Sequence, residues 1–339
     1  MTSNRSARRG PAGRRRVGAA AALAAAATLL AAGCTGPAAA PPGGGGATPP
    51  GAATGELRVA VISHGTPGDS FWDVVKNGAE AAGRQLGVKV DYNAAADPAS
   101  QARLVDNAVA QKAGGIVVSM ANPDALRDSV RRAVDAGIPV VTINSGEERS
   151  QEFGAITHVG QSEGVAGERA GETLRRAGRT NVLCVIHEAG NAGLNQRCEG
   201  ARKAFGSVRD LQVDISNPTD VQSRIKGALG TDGSIDAVLT LNPQVAANAV
   251  SAVRDAGSSA AVATFDLNAD VINAIREGRL LFALDQQQYL QGYLPVTFLK
   301  LYRDNANTVG GGRPVLTGPG VVDKSNVDTV GSYAGRGTR

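Results

Sequence analysis

Short apolar runs alternate with amphipathic stretches along most of this chain, and that alternation limits the fold more than any single residue does. Residues 57–62 (LRVAVI), 116–120 and 138–143 are runs of this kind with little polar alternation, and 88–92 (VKVDY) is a further strand whose residues alternate. A strand that is apolar on both sides must be buried on both sides, as in a parallel sheet covered by helices. Between the runs lie segments with helical spacing. Residues 71–86 carry Val74, Val75, Ala79, Ala82 and Leu86, and residues 101–113 and 124–136 follow, the latter closed by Gly137. The series restarts after Gly160. Strands are expected at 182–186, 211–215, 235–241, 261–265 and 280–284, with helices at 194–205, 221–229, 245–256 and 269–277. The expected fold class is α/β, with two doubly wound parallel-sheet lobes of similar plan.

Open sheets of this kind bind ligands beyond the carboxyl ends of their strands. The residues there are His64-Gly65, Ala121-Asn122, Asn144-Ser145, residues 188–191 (EAGN), Asn242, Asp266 and Asp285-Gln286-Gln287. The set is rich in amides and carboxylates and poor in Lys and Arg. Each hydroxyl of a polyol both donates and accepts, and such side chains answer both needs, so a neutral, multi-hydroxyl ligand is expected. Any one Asn or Asp could simply cap a helix, but recurrence at strand ends in both halves argues for a shared site. The strand ends offer no metal-ligand cluster, no nucleophile beside a base and no phosphate-binding glycine loop. Ser63 and Ser145 lie outside any G-x-S-x-G elbow. Neither an enzyme nor a cofactor or metal is expected.

The amino-terminal segment has a different composition. Arg14-Arg15-Arg16 precede an apolar stretch, 17–30, and small residues lead to Cys34. A basic head, a short apolar core and small residues at the cut describe an export signal covering residues 1–33. A membrane span is the competing reading, but the stretch is Gly/Ala-rich and near the lower length limit. The arginine pair leaves the export route, general or twin-arginine, open. Residues 35–54 are almost all Pro, Ala, Gly and Thr, without charge, and read as a tether.

The whole chain holds 35 Lys+Arg against 31 Asp+Glu, but the leader carries six of the arginines and no acid. The remainder is therefore slightly acidic and gives no reason to expect nucleic acid. Cys184 and Cys198 sit in a strand–loop–helix arrangement that can bring two cysteines within bonding range, and export permits a disulfide. Two buried free thiols are the other reading.

Taken in order, these segments resemble the ribose/galactose-type family of periplasmic solute-binding proteins, the receptors of sugar ABC importers. The resemblance runs from about residue 57 to residue 330. It is carried by Val59-Ala60-Val61-Ile62, Ser70-Phe71-Trp72, Lys76-Asn77-Gly78-Ala79, residues 136–141 (AGIPVV), Arg197-Cys198-Glu199-Gly200, Leu239-Thr240-Leu241-Asn242, Ala263-Thr264-Phe265-Asp266, and residues 284–293 (LDQQQYLQGY). It implies two lobes joined by a three-segment hinge, with crossings near 160, 286–287 and 312–316. The first lobe would hold 57–160 plus 287–314, and the second 161–286 plus 315–333, behind a tether at 34–55.

By position, the resemblance sets Phe71 and Trp72 against the faces of a sugar ring. It sets Asn242, Asp266 and Gln286 on the ring hydroxyls. Asn144-Ser145 stand where many members carry Asp-Arg, and Asn195 where many carry an Arg. The implied ligand is accordingly a polyhydroxylated small molecule rather than ribose in particular. Leu30-Ala31-Ala32-Gly33-Cys34 resembles the lipobox of bacterial lipoproteins, in which the Cys thiol receives a diacylglycerol. The implied protein is an exported monomer, lipid-anchored to the outer face of the membrane through Cys34, that delivers its ligand to ABC permease subunits. A receptor lipoprotein that presents a signal molecule to a membrane sensor would carry the same features. A LacI-type repressor shares the fold but has a DNA-binding helix-turn-helix where this chain has a leader and tether.

Overall fold

The structure, a computed structural model, describes residues 55–339, and the leader, most of the tether and Cys34 lie outside the described residues. The first series is β1 (Leu57–Ser63), α1 (Ser70–Leu86), β2 (Val88–Ala94), α2 (Pro98–Ala110), β3 (Gly115–Ser119), α3 (Pro123–Asp135), β4 (Val140–Ile143), α4 (Glu147–Ser150) and β5 (Thr157–Gly160). The second is α5 (Glu163–Arg176), β6 (Val182–Ile186), α6 (Ala192–Phe205), β7 (Val208–Gln212), α7 (Pro218–Thr231), β8 (Ala237–Thr240), α8 (Pro243–Asp255), β9 (Ala261–Phe265), α9 (Ala269–Arg276) and β10 (Ala283–Asp285). The chain then returns through α10 (Gln288–Asn305) and β11 (Val315–Leu316) before β12 (Gly320–Val322) and α11 (Val327–Ala334).

Two six-stranded sheets result, in the orders β11-β5-β4-β3-β1-β2 and β12-β10-β9-β8-β6-β7. The pairings are parallel except β10 with β12. Burial explains the unbroken apolar strands. On β1, Leu57, Val59 and Val61 enter one core while Ala60 and Ile62 enter the core on the opposite face. On β6, Leu183 and Val185 face one way, and Val182, Cys184 and Ile186 the other. Each full burial of such an aliphatic side chain is worth about 1.5–3 kcal/mol.

Helices α2, α3, α7 and α8 share one start signal, an Asx residue followed by proline: Asp97-Pro98, Asn122-Pro123, Asn217-Pro218 and Asn242-Pro243. The Asx oxygen accepts from a backbone N–H two or three residues on, at 2.7–3.2 Å. Proline sits where an N–H would have no partner in any case.

Two helix pairs pack backbone to backbone. A Cβ on Gly292 of α10 would meet the Val75 carbonyl oxygen of α1 at 1.9 Å, and one on Gly200 of α6 would meet that of Gly164 in α5 at 2.1 Å. Glycine is required by this approach. These pairs set the positions of α1, which carries Phe71 and Trp72 into the site, and of α6, which carries Leu194 and Arg197.

Several elements differ from the sequence expectation. Strand β5 and helix α5 are not marked by apolar periodicity. The buried face of α5 is Ala166, Gly167, Ala170, Gly171 and Leu174, so close approach replaces large side chains. Strand β7 begins and ends three residues earlier than the expected 211–215, because parallel pairing of Val182 with Val208 sets its register on an exposed edge.

The three crossings between lobes lie after β5, at Gln286-Gln287, and between β11 and β12. The third corrects the boundary at 314/315: Val315 and Leu316 pair with β5 and belong to the first lobe, so the chain crosses at 317–319. The crossings are bonded to one another. The Thr317 N–H donates to Gly160 O at 2.7 Å, and Gln287 Nε2 donates to Thr317 O at 2.6 Å. Cys184 and Cys198 are joined as a disulfide, with Cα atoms 5.9 Å apart. No helix among the described residues is long and apolar enough to cross a membrane.

Candidate functional site

The carboxyl ends of both sheets face one narrow cavity of ≈30 Å³, well below the usual range for small-molecule sites. The first lobe contributes His64, Asp69, Phe71, Trp72, Asn144 and Ser145, and the second contributes His187, Glu188, Asn191, Leu194, Arg197, Leu241, Asn242 and Asp266, with Gln286 at the crossing. Six of the seven residues expected to bind ligand are therefore together. Asn195 is not among them. It lies in the first turn of α6, where its amide donates to Asn191 O at 3.0 Å, and that placement corrects the expectation.

The guanidinium in the cavity comes instead from Arg197, in the second turn of α6. Its Nε and one Nη donate to the two carboxylate oxygens of Glu163 at 2.5 and 2.8 Å, and both side chains are buried. The same guanidinium lies 4.7 Å from the centroid of the Phe265 ring. Packing, pairing and stacking leave it one orientation. A search of strand ends alone could not find it, because it sits on a helix, yet it is the Arg of the quoted Arg197-Cys198-Glu199-Gly200 segment.

Phe71 and Trp72 form the aromatic wall. Asp69 caps α1 by accepting from the Phe71 N–H at 3.0 Å. Trp72 meets Phe71 edge-to-face at 4.9 Å and the His64 ring at 4.7 Å. Both aromatic residues also belong to the first-lobe core, so anchoring α1 and walling the cavity are one placement.

Asn144, Gln286 and Asp266 form a hydrogen-bonded chain through the hinge. Asn144 Nδ2 donates to Gln286 Oε1 at 3.2 Å, and Gln286 Nε2 donates to Asp266 Oδ1 at 2.7 Å. Asn144 follows β4 with φ 61°, and Asp266 follows β9 with φ 68°. These matching left-handed residues turn the chain off each sheet at the cavity, a conformation Asn and Asp tolerate better than most residues. Asp266 does not cap the next helix. Asn268 does, accepting from the Val271 N–H at 2.8 Å. Asn242 also caps α8, accepting from the Gln244 N–H at 2.8 Å.

Burial raises Asp266 from 3.8 to about 7, with Arg197 and Gln286 opposing, and raises Asp69 from 3.8 to about 6, with the Phe71 N–H opposing. His187 is pushed down to about 4, and His64 is also lowered, in both cases chiefly by burial. Around neutral pH the imidazoles are uncharged.

The lobes touch around the cavity rim. Gln244 Nε2 donates to Gly68 O at 2.8 Å, the Ala192 N–H donates to Ala121 O at 3.0 Å, and His64 Nε2 lies 3.8 Å from Glu188 Oε2. This is a closed arrangement, with the site enclosed by residues of both lobes.

A family model described as a periplasmic binding protein domain matches residues 59–306. The chain belongs to the periplasmic binding protein family, ribose/galactose type. Among solved structures, a carbohydrate transporter from Acidothermus cellulolyticus 11B, in complex with myo-inositol, is 43% identical with a TM-score of 0.83; the match covers 84% of this chain and 100% of that one. The ribose import binding protein RbsB of Haemophilus influenzae is 25% identical over 67% of this chain and 79% of its own length. Its Escherichia coli counterpart is 26% identical over 65% and 76%. The fold of a type I periplasmic binding protein accounts for both sheet orders and the three crossings. His64, Ser145, Glu188 and Asn191 of this periplasmic binding protein stand at strand ends in the sequence, which by itself gives them no individual role. Asp69 and Leu194 gave no signal, being an ordinary helix cap and an ordinary apolar residue.

Proposed function

We propose that this binding protein captures a cyclic polyol, a sugar or an inositol, between its lobes outside the cytoplasmic membrane and delivers it to an ABC importer. The observation that carries this reading is the lining at the strand ends of both lobes. An aromatic wall is faced by donors (Arg197, the amides) and acceptors (Asp69, Glu188, Asp266) in a small closed cavity. Ring hydroxyls need both kinds of partner at once, and the apolar face of the ring needs the aromatic wall. The myo-inositol held by the Acidothermus relative supports the same ligand class. The lobe contacts supply the mechanism. A ligand that touches both lobes shifts a hinge equilibrium towards closure only through those differential contacts, and the closed form is the one a permease would distinguish from the open one.

Trp72 is the chain's one tryptophan, and it lies in the cavity wall. Its emission is therefore expected to change saturably when the ligand binds. Titration with myo-inositol, other inositols, ribose and xylitol tests this, and emission that stays constant through the whole series would contradict the reading.

Tethering at Cys34 is part of the proposal and rests on the leader, since Cys34 lies outside the described residues. Labelled palmitate is expected to enter the wild type and not Cys34→Ala. Equal labelling of the two would remove the anchor while leaving the ligand reading intact.

A further inference from the structure

Two histidines stand at matching places in the two lobes. His64 is the first residue after β1 and His187 the first after β6, and each of those strands lies second from the edge of its sheet. Glu188 lies between the two rings, with Oε2 3.8 Å from His64 Nε2 and Oε1 3.9 Å from His187 Nε2. The Asn191 amide donates to the same Oε2 at 2.7 Å and keeps the carboxylate turned that way.

Hydrogen bonds behind His64 fix which of its nitrogens carries the proton. Ser119 Oγ accepts from the His64 backbone N–H at 3.0 Å and lies 2.7 Å from His64 Nδ1. The other group near that hydroxyl, the Gln101 amide nitrogen, is itself a donor, bonded to Ser119 O at 2.7 Å. Among the described residues Nδ1 is the acceptor left for the buried hydroxyl, so Ser119 donates to it and the neutral ring presents Nε2–H to the cavity. An edge contact with Trp72, ring centroids 4.7 Å apart, holds the imidazole plane. A donor on the first lobe thus faces an acceptor on the second. At 3.8 Å they are too far apart for a direct hydrogen bond. One oxygen that accepts from the first and donates to the second would span about 4.5 Å. The cavity of ≈30 Å³ has room for about one water, so a ring is received with the lobes further apart, and this gap widens in the same movement.

Resting on the cyclic-polyol reading, we propose that His64 and Glu188 are a specificity pair that reads one ring hydroxyl from opposite lobes. His64 Nε2–H donates to that hydroxyl and Glu188 accepts from it, with Ser119 as the positioning residue that sets the imidazole. A hydroxyl satisfies both partners at once. A ring carbon without it leaves a buried donor and a buried charged acceptor unpaired, and a carbonyl there can accept from His64 but cannot donate to Glu188. Because the hydroxyl is held from both lobes, the same pair couples recognition to closure.

The test has two parts. Nitrogen NMR on the ligand-free protein, with His64 assigned by the signal lost in His64→Gln, is expected to show Nε2 protonated and Nδ1 bare at neutral pH, and a mixture of the two forms in Ser119→Ala. Calorimetry then compares myo-inositol with its mono-deoxy and mono-keto analogues. At one ring position, loss of the hydroxyl and its oxidation to a ketone are each expected to cost the wild type about tenfold or more. The deoxy penalty is expected to shrink at least about threefold in His64→Asn, whose amide reaches only as far as Nδ1, and to persist in His64→Gln, whose amide reaches as far as Nε2. The keto penalty is expected to shrink in Glu188→Gln, whose amide can donate to a carbonyl. Melting transitions check that each variant folds. A protonated Nδ1 in the wild type overturns the proposal. So does a profile over ring positions that is flat in the wild type, or the same in the wild type, His64→Asn and Glu188→Gln, and either result leaves the cyclic-polyol reading standing if myo-inositol binds. If His64→Asn does not fold, the wild type against Glu188→Gln decides. If neither myo-inositol nor any analogue binds the wild type, the cyclic-polyol reading fails for this ligand and the proposal falls with it.

Discussion

Arg197→Leu is expected to lower stability by about 3–5 kcal/mol, because it leaves the Glu163 carboxylate buried without its partner. The double variant Arg197→Leu with Glu163→Leu is expected to recover most of that loss, since a buried ion pair often exchanges for apolar residues at little cost. Ligand affinity follows a different course. The guanidinium lines the cavity and Glu163 does not, so the double variant regains its melting temperature but not its binding. The binding deficit is expected to be about 1.5–3 kcal/mol, the worth of a hydrogen bond to a charged group. Denaturant titration and calorimetry on both variants check this. Full recovery of affinity in the double variant would mean that Arg197 only holds α5 to α6.

The second large effect falls on Asp266. Asp266→Asn is expected to weaken binding by about 1.5–3 kcal/mol, or tenfold to more than a hundredfold, without lowering the stability of the ligand-free protein. The cap of the next helix is Asn268, not Asp266, and Asn tolerates the left-handed backbone at φ 68°. The pH dependence has a definite sign. The folded, empty protein holds a proton on Asp266 up to about pH 7, where the unfolded chain releases it near 3.8. This carboxyl therefore contributes stability in full below pH 3.8, and that contribution is lost as pH rises through 7. Affinity moves the other way, because hydroxyl donors favour the ionised form, so wild-type binding is expected to strengthen from pH 5 to 7.5 with proton release. In Asp266→Asn the dependence is reduced to what Asp69 supplies. A melting temperature lowered by several degrees with normal affinity would remove Asp266 from the site.

The fold was legible wherever burial on two faces left its mark on a strand. Leu57 to Ile62 and Val182 to Ile186 are apolar throughout because their alternate residues enter separate cores. It was illegible where contact is made by small residues or by backbone. Helix α5 hides its buried face in Ala and Gly, and the third crossing is set by the pairing of Val315 and Leu316 with β5 rather than by any local signal. The site divides in the same way. Asn144, Asn242, Asp266 and Gln286 are found by the rule that ligands meet strand ends, since Asn144, Asp266 and Gln286 directly follow a strand and Asn242 comes one residue later. Arg197 escapes that rule because a helix carries it into the cavity from beside the sheet, and the amide of Asn195, two residues away, donates to the Asn191 carbonyl instead. Phe71 and Trp72 read equally well as core and as ligand wall, and they are placed to be both.

The most direct measurement of the central claim is a calorimetric titration of the purified protein with myo-inositol, run beside Asp266→Asn. The account predicts saturable binding at one site per chain, weakened at least about tenfold in the variant while both proteins melt as folded domains. Absence of binding heat and of any ligand-induced rise in melting temperature, for myo-inositol and for a panel of other inositols and sugars alike, would contradict it.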